Sequence, residues 1–86
     1  MTLKRFCNSD LHKKIIIFFK DNPASVDSPR GVAAWTGLSR TKVKKALDEL
    51  VQAGILSSIS VSSASGYSFT QDQRIIEEIM KYLKEE

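Results

Sequence analysis

One cysteine, one histidine and one tryptophan in 86 residues exclude several kinds of chemistry at the outset. A lone Cys7 rules out an internal disulfide framework and a paired-cysteine metal site. His12 stands beside Lys13 and Lys14 with no second histidine to share a metal ion. The longest apolar run, Ile15 to Phe19, falls far short of the roughly 18 residues that span a bilayer. Lys20 and Asp21 cut it off, and no cleavage site of a leader follows. No nucleophile–base pairing, glycine-rich phosphate loop or carboxylate cluster stands out. The expectation is a cytoplasmic protein that is not an enzyme, holds no metal and no cofactor, and has no membrane partner.

What is present is a globular composition, 42% hydrophobic, in a chain of one-domain length. Such a domain buries only roughly 60–65% of its unfolded surface, so its core is small. The net charge of +3 is modest, but its distribution is uneven. Residues 1–54 carry ten Lys/Arg against five Asp/Glu, and residues 55–86 carry three against five. A field polarised in this way orients a protein toward a polyanion.

Residues 1–8 read as an N-terminal arm, followed by a single domain over 9–86. Asn8, Ser9 and Asp10 offer a cap for a helix over 10–21. Its apolar residues Leu11, Ile15, Ile16, Phe18 and Phe19 fall on one side, and Ile17 points among the polar ones. Asn22-Pro23 stops it, leaving room for a very short strand before Asp27. Ser28-Pro29 is a cap followed by a first-position proline, which opens a helix over 29–36. Gly37 ends that helix. Ser39 caps the next, over 40–53, whose inward stripe is Val43, Leu47, Leu50 and Val51, with Ala46 permitting close approach. Gly54 closes it. Alternation then replaces helical spacing. Ile55, Ile59 and Val61 share one strand face, Ser63-Ala64-Ser65-Gly66 forms a hairpin loop, and Tyr67 to Thr70 returns. Thr70-Gln71-Asp72-Gln73 fits a capping box for a last helix with the stripe Ile76, Ile79, Met80 and Leu83.

Two helices joined by a tight turn at Gly37, the second with four cations near its start and an apolar face behind them, form a helix-turn-helix pattern. With Ala33, Gly37, Leu38 and Val43 at that spacing, and Leu47, Leu50, Gly54, Ile55 and Leu56 leading into a hairpin, the chain is similar to the winged helix-turn-helix superfamily. In overall pattern it resembles small bacterial and archaeal transcription regulators of the MarR and ArsR type. It lacks the metal-binding cysteines and histidines of the metal-sensing members. The resemblance covers about residues 9–85. It implies a mostly α, α+β fold: a three-helix core, a two- or three-stranded antiparallel wing and a C-terminal helix.

It also implies a double-stranded DNA-binding transcription regulator with residues 39–53 as recognition helix. Ser39, Arg40, Thr41, Lys44 and Lys45 then occupy groove-facing positions. Arg30, at the start of the preceding helix, meets the phosphate backbone. Arginine and lysine pair with guanine edges or phosphates, and threonine with bases or backbone. With Val43 inward, Thr41, Lys45, Asp48 and Gln52 point nearly opposite, and Lys42 and Lys44 lie on the flanks. Asp48 and Glu49 repel phosphate, confining contact to the first two turns. They also stand four residues after Lys44 and Lys45, as pairs of the weaker order.

The alternative is a protein–protein interaction module with no direct DNA role. Its motivation is a wing, Ser62 to Tyr67, without a single lysine or arginine. Scattered Lys4, Arg5, Lys13 and Lys14 read as solvated surface. Trp35, Phe18 and Phe19 read as core. Ile17, with Leu3 and Phe6 of the arm and the last helix, offers a seam for a homodimer, against the alternative that arm and last helix pack within one chain.

Overall fold

The computed structural model describes residues 2–61 and 64–84. Its elements run α1 (Thr2–Cys7), α2 (Asp10–Asp21), β1 (Val26–Asp27), α3 (Pro29–Thr36), α4 (Arg40–Gln52), β2 (Leu56–Val61), β3 (Ala64–Phe69) and α5 (Gln73–Lys84). The three strands make one antiparallel sheet in the order β1-β3-β2. The architecture is the expected one: mostly helical, with a small antiparallel sheet.

The helix ends follow from local chemistry. Ser9 accepts from the His12 N–H to open α2, and Ser28 accepts from the Gly31 N–H to open α3. Gly37, at φ 74°, returns its N–H to the Ala33 carbonyl and turns the chain sharply into α4. That left-handed conformation is strained for any residue with a Cβ. At the end of α4, Gly54 (φ 81°) bonds to Val51 and Ile55 bonds back to Leu50. This is the double closure of a Schellman end.

The core is one cluster. Ile15, Ile16 and Phe19 of α2 meet Val32 of α3 and Val43, Ala46, Leu47 and Leu50 of α4. Ile55, Leu56, Tyr67 and Phe69 close it from the hairpin side, and Ile79 closes it from α5. Val51, expected in the α4 stripe, is half-buried. In the α5 stripe Ile79 alone is fully buried, and Met80 is exposed.

Five expectations need correction. The segment read as an arm is helical over Thr2–Cys7 and buries Leu3, Phe6 and Cys7 against α2 and α5. Its three apolar side chains supply burial that a six-residue helix could not replace by propensity alone. The seam offered for a dimer thus loses Leu3 and Phe6 to the interior, and the α1–α5 packing lies within one chain.

Trp35 is not core; it is 73% exposed, lying at 5.5 Å from the Phe18 ring on the outside of α2 and α3. A two-turn helix directs only Val32 fully inward, and the large indole is seldom buried completely.

On β2 the inward residue is Leu56, and Ile59 is 42% exposed. Ile55 lies in the turn that closes α4, ahead of β2, so it does not share a strand face with Ile59 as alternation suggests. β3 begins at Ala64, opposite Val61, so residues 64–66 are strand rather than loop. Finally, Asp72, not Thr70, opens α5: its carboxylate accepts from the Arg74 N–H at 3.0 Å, while the Thr70 hydroxyl accepts from the Asp72 N–H. Residues 62 and 63, and the side chains of Thr2, Lys4, Val61, Ala64 and Ser65, lie outside the described ones.

Candidate nucleic-acid interface

Two surfaces of α4 are fixed by its neighbours, and a third is left outward. The inner stripe is apolar. At 100° per residue, Lys44 stands on the flank toward the hairpin and Glu49 on the flank toward α2. Thr41, Lys45, Asp48 and Gln52 line the outward face, and all four are exposed. Ser39 and Arg40 are exposed at the amino end. Five of the six expected site residues are therefore exposed over the first two turns of one helix. The sixth, Arg30, is exposed on the first turn of α3.

The amino end of α4 is unusual for a helix. Its first turn has no acidic residue, and Ser39, in the cap position, makes no side-chain cap bond. Cations there oppose the helix dipole, and the leading N–H groups keep their capacity for an external acceptor. The Ser28 hydroxyl, by contrast, is engaged by its own helix.

Partners separate the cations. Among the described residues no carboxylate pairs with Arg30, Arg40, Lys42 or Lys45. Lys42 was not among the expected contacts, and only its flanking position at the helix start singles it out. The expected Lys45–Glu49 pair does not form. Glu49 instead accepts from His12 Nε2 at 2.8 Å, while His12 Nδ1 lies 2.8 Å from the Ser9 hydroxyl and its ring packs on Phe6. The lone histidine is thus a tie between α2 and α4, separated by 37 residues in sequence.

The Lys44–Asp48 pair does form, at 2.6 Å. Asp48 uses its other oxygen to accept from the Tyr67 hydroxyl at 2.7 Å. Lys44, and after it Tyr67, hold the Asp48 carboxyl below the usual carboxylate range. Asp48, then Tyr67, raises the Lys44 ammonium above an ordinary lysine. Burial, then the bond to Asp48, pushes the Tyr67 phenol up, so it remains a donor.

The pH consequence has a definite sign. A depressed carboxylate stabilises the fold fully above its unfolded value near 4 and loses that contribution as pH falls through the folded value. The urea midpoint of Asp48→Asn is expected slightly below that of the parent at neutral pH. The two should converge as pH falls through the lowered range of Asp48, and the difference stays small because the pair is solvent-exposed.

No protein-family model matches the sequence, and no curated protein matches it. Solved structures do. The chain superposes on the AntR antimony-specific transcriptional repressor with a TM-score of 0.77 at 16% identity, over 95% of this chain and 71% of that one. It superposes on the type III plasmid segregation protein TubR with a TM-score of 0.75 at 20% identity, over 98% and 82%. The fold is a winged helix-turn-helix. In these terms α3–Gly37–α4 is the helix-turn-helix and β2–β3 the wing.

Winged-helix architecture alone does not fix an activity. It also matches human N-acetylserotonin methyltransferase at 17% identity with a TM-score of 0.62, over 80% of this chain and 19% of that enzyme. Among the described residues no group of three His, Cys, Asp or Glu side chains could hold a metal ion. None of the described helices is long and apolar enough to cross a membrane.

Proposed function

We propose that this winged-helix chain binds double-stranded DNA and regulates transcription, with α4 in the major groove. Ser39, Arg40, Thr41, Lys44 and Lys45 face the groove, and Arg30 holds a backbone phosphate. The observation that carries this reading is the amino end of α4: uncapped by Ser39, without an acidic residue in its first turn, and bearing Arg40, Lys42 and Lys45, which have no carboxylate partner among the described residues. An uncapped, positively flanked helix start is suited to phosphate. The repressor described for AntR agrees in kind.

A second copy is the natural partner, because one small module buries only about 600–1,000 Å² on DNA. With Leu3 and Phe6 internal, what is left of that seam is half-buried Ile17 and the face of α5, where Met80 is 41% exposed beside half-buried Ile76.

One experiment addresses both. Duplex selected from a random pool is titrated at several salt concentrations while the solution mass is measured. Four to six phosphate contacts per chain give a slope of log K against log salt of about −4 to −5, and a dimer gives twice 9.6 kDa. Absence of duplex binding at low salt removes the DNA reading.

Loss of that reading would favour the protein-docking alternative. Trp35, exposed beside Phe18 and Ile17 in an open groove of about 410 Å³, is the observation that supports it. Exposed tryptophans in such settings dominate protein interfaces.

A further inference from the structure

The adjacent lysines of α4 are not equivalent. Lys45 has lost its helical partner, because Glu49 is turned toward His12. Lys44 has kept its own, and the pair is held by a third group. Most exposed intrahelical pairs are loose, since both side chains are long and hydrated. Here both carboxylate oxygens of Asp48 are engaged, one by Lys44 Nζ at 2.6 Å and the other by Tyr67 Oη at 2.7 Å. Tyr67 is buried in β3, so its hydroxyl is presented from a rigid element. The Lys44 ammonium also lies 5.9 Å from the Tyr67 ring centroid. The hairpin therefore fixes Asp48, and Asp48 fixes Lys44.

We propose that Asp48 limits the affinity of the interface by serving as an internal anion for Lys44, withholding that lysine from phosphate. The inference rests on the DNA reading above. A lysine already neutralised by its own chain releases no counterion from the duplex when the surfaces meet. The Lys44–Asp48 site thus presents DNA with no net charge, while Lys45 and Arg40 present full cations. The arrangement also limits how far the helix engages. Asp48 lies on the outward face one turn beyond Lys44, where a phosphate approaching the second turn meets a carboxylate that Tyr67 prevents from swinging aside.

Salt-dependent duplex binding of the parent, Asp48→Asn and Asp48→Asn combined with Lys44→Ala tests this. The amide oxygen of Asp48→Asn still accepts from Tyr67, so the hairpin tie survives and only the charge is lost. Thermal midpoints of all three proteins check that the fold is retained. With Lys44 released, the slope of the single variant steepens by about 0.9, and its affinity falls about 3.5-fold more than the parent's between 50 and 200 mM salt. The double variant, neutral at that site like the parent, returns to the parent slope.

A single variant with an unchanged slope overturns the inference. So does a double variant whose slope is shallower than the parent's by about 0.9, since Lys44 would then already meet phosphate in the parent. Either outcome leaves the DNA reading standing. Failure of both the parent and Asp48→Asn to bind any duplex removes the DNA reading and the inference with it.

Discussion

Replacing Phe6 with alanine is expected to destabilise the protein by about 3–5 kcal/mol, a large share of the roughly 5–15 kcal/mol that holds a domain together. Phe6 is buried in α1 together with Leu3 and Cys7, and its ring packs against His12 at 4.7 Å between centroids. Truncation opens a cavity where α1 meets α2 and disturbs the histidine that ties α2 to Glu49 of α4. For a domain of this size each kcal/mol moves the thermal midpoint by about 4–8 °C. A loss of about 3 kcal/mol therefore lowers it by more than about 12 °C. Circular dichroism melts of Phe6→Ala against the parent measure this directly. An N-terminal arm in solvent would give a change within about 0.5 kcal/mol, and that result would remove α1 from the core.

The second large effect concerns binding rather than folding. Arg30, Arg40 and Lys45 are exposed and have no carboxylate partner among the described residues. If each neutralises one phosphate, each contributes about 0.9 decade to the binding constant at 0.1 M salt relative to 1 M. Replacing all three with alanine is then expected to weaken duplex binding about 500-fold at 0.1 M salt and to flatten the salt slope by about 2.7. Stability should change little, since exposed substitutions usually fall within about 0.5 kcal/mol each, and removing Arg40 relieves an unfavourable charge at a helix start. Parallel titrations and melts separate the two quantities. Undiminished affinity in the triple variant would exclude these cations as phosphate contacts.

The parts of the fold that were legible in the sequence are those with local causes. Ser9, Ser28-Pro29, Gly37 and Gly54 punctuate the chain by chemistry that acts over a few residues, and α2, α3 and α4 begin and end where those signals lie. The inward stripe of α4 follows from helical spacing. The misses are tertiary. α1 is held by the burial of Leu3, Phe6 and Cys7 against α2 and α5, contacts that no local spacing announces. Residue preference places Trp35 inward, but only the packing of a short α3 decides which of its positions faces the core. Alternation groups Ile55 with Ile59 on one strand face, but Ile55 is drawn into the closure after α4 and β2 begins only at Leu56.

The candidate interface divides along the same line. The exposed positions of Arg40, Thr41, Lys44 and Lys45 were readable from α4 alone. Which lysine is occupied was not. Tyr67 meets Asp48 across 19 residues, and His12 meets Glu49 across 37. No periodicity within α4 encodes either contact.

The exposed indole of Trp35 has a practical consequence. It is the sole tryptophan, it is bathed in water in the native state, and it stands two residues before Gly37. The chain therefore carries an intrinsic fluorophore at the helix-turn-helix corner. Because its surroundings are already aqueous, its emission registers a ligand arriving at that corner better than it registers denaturation.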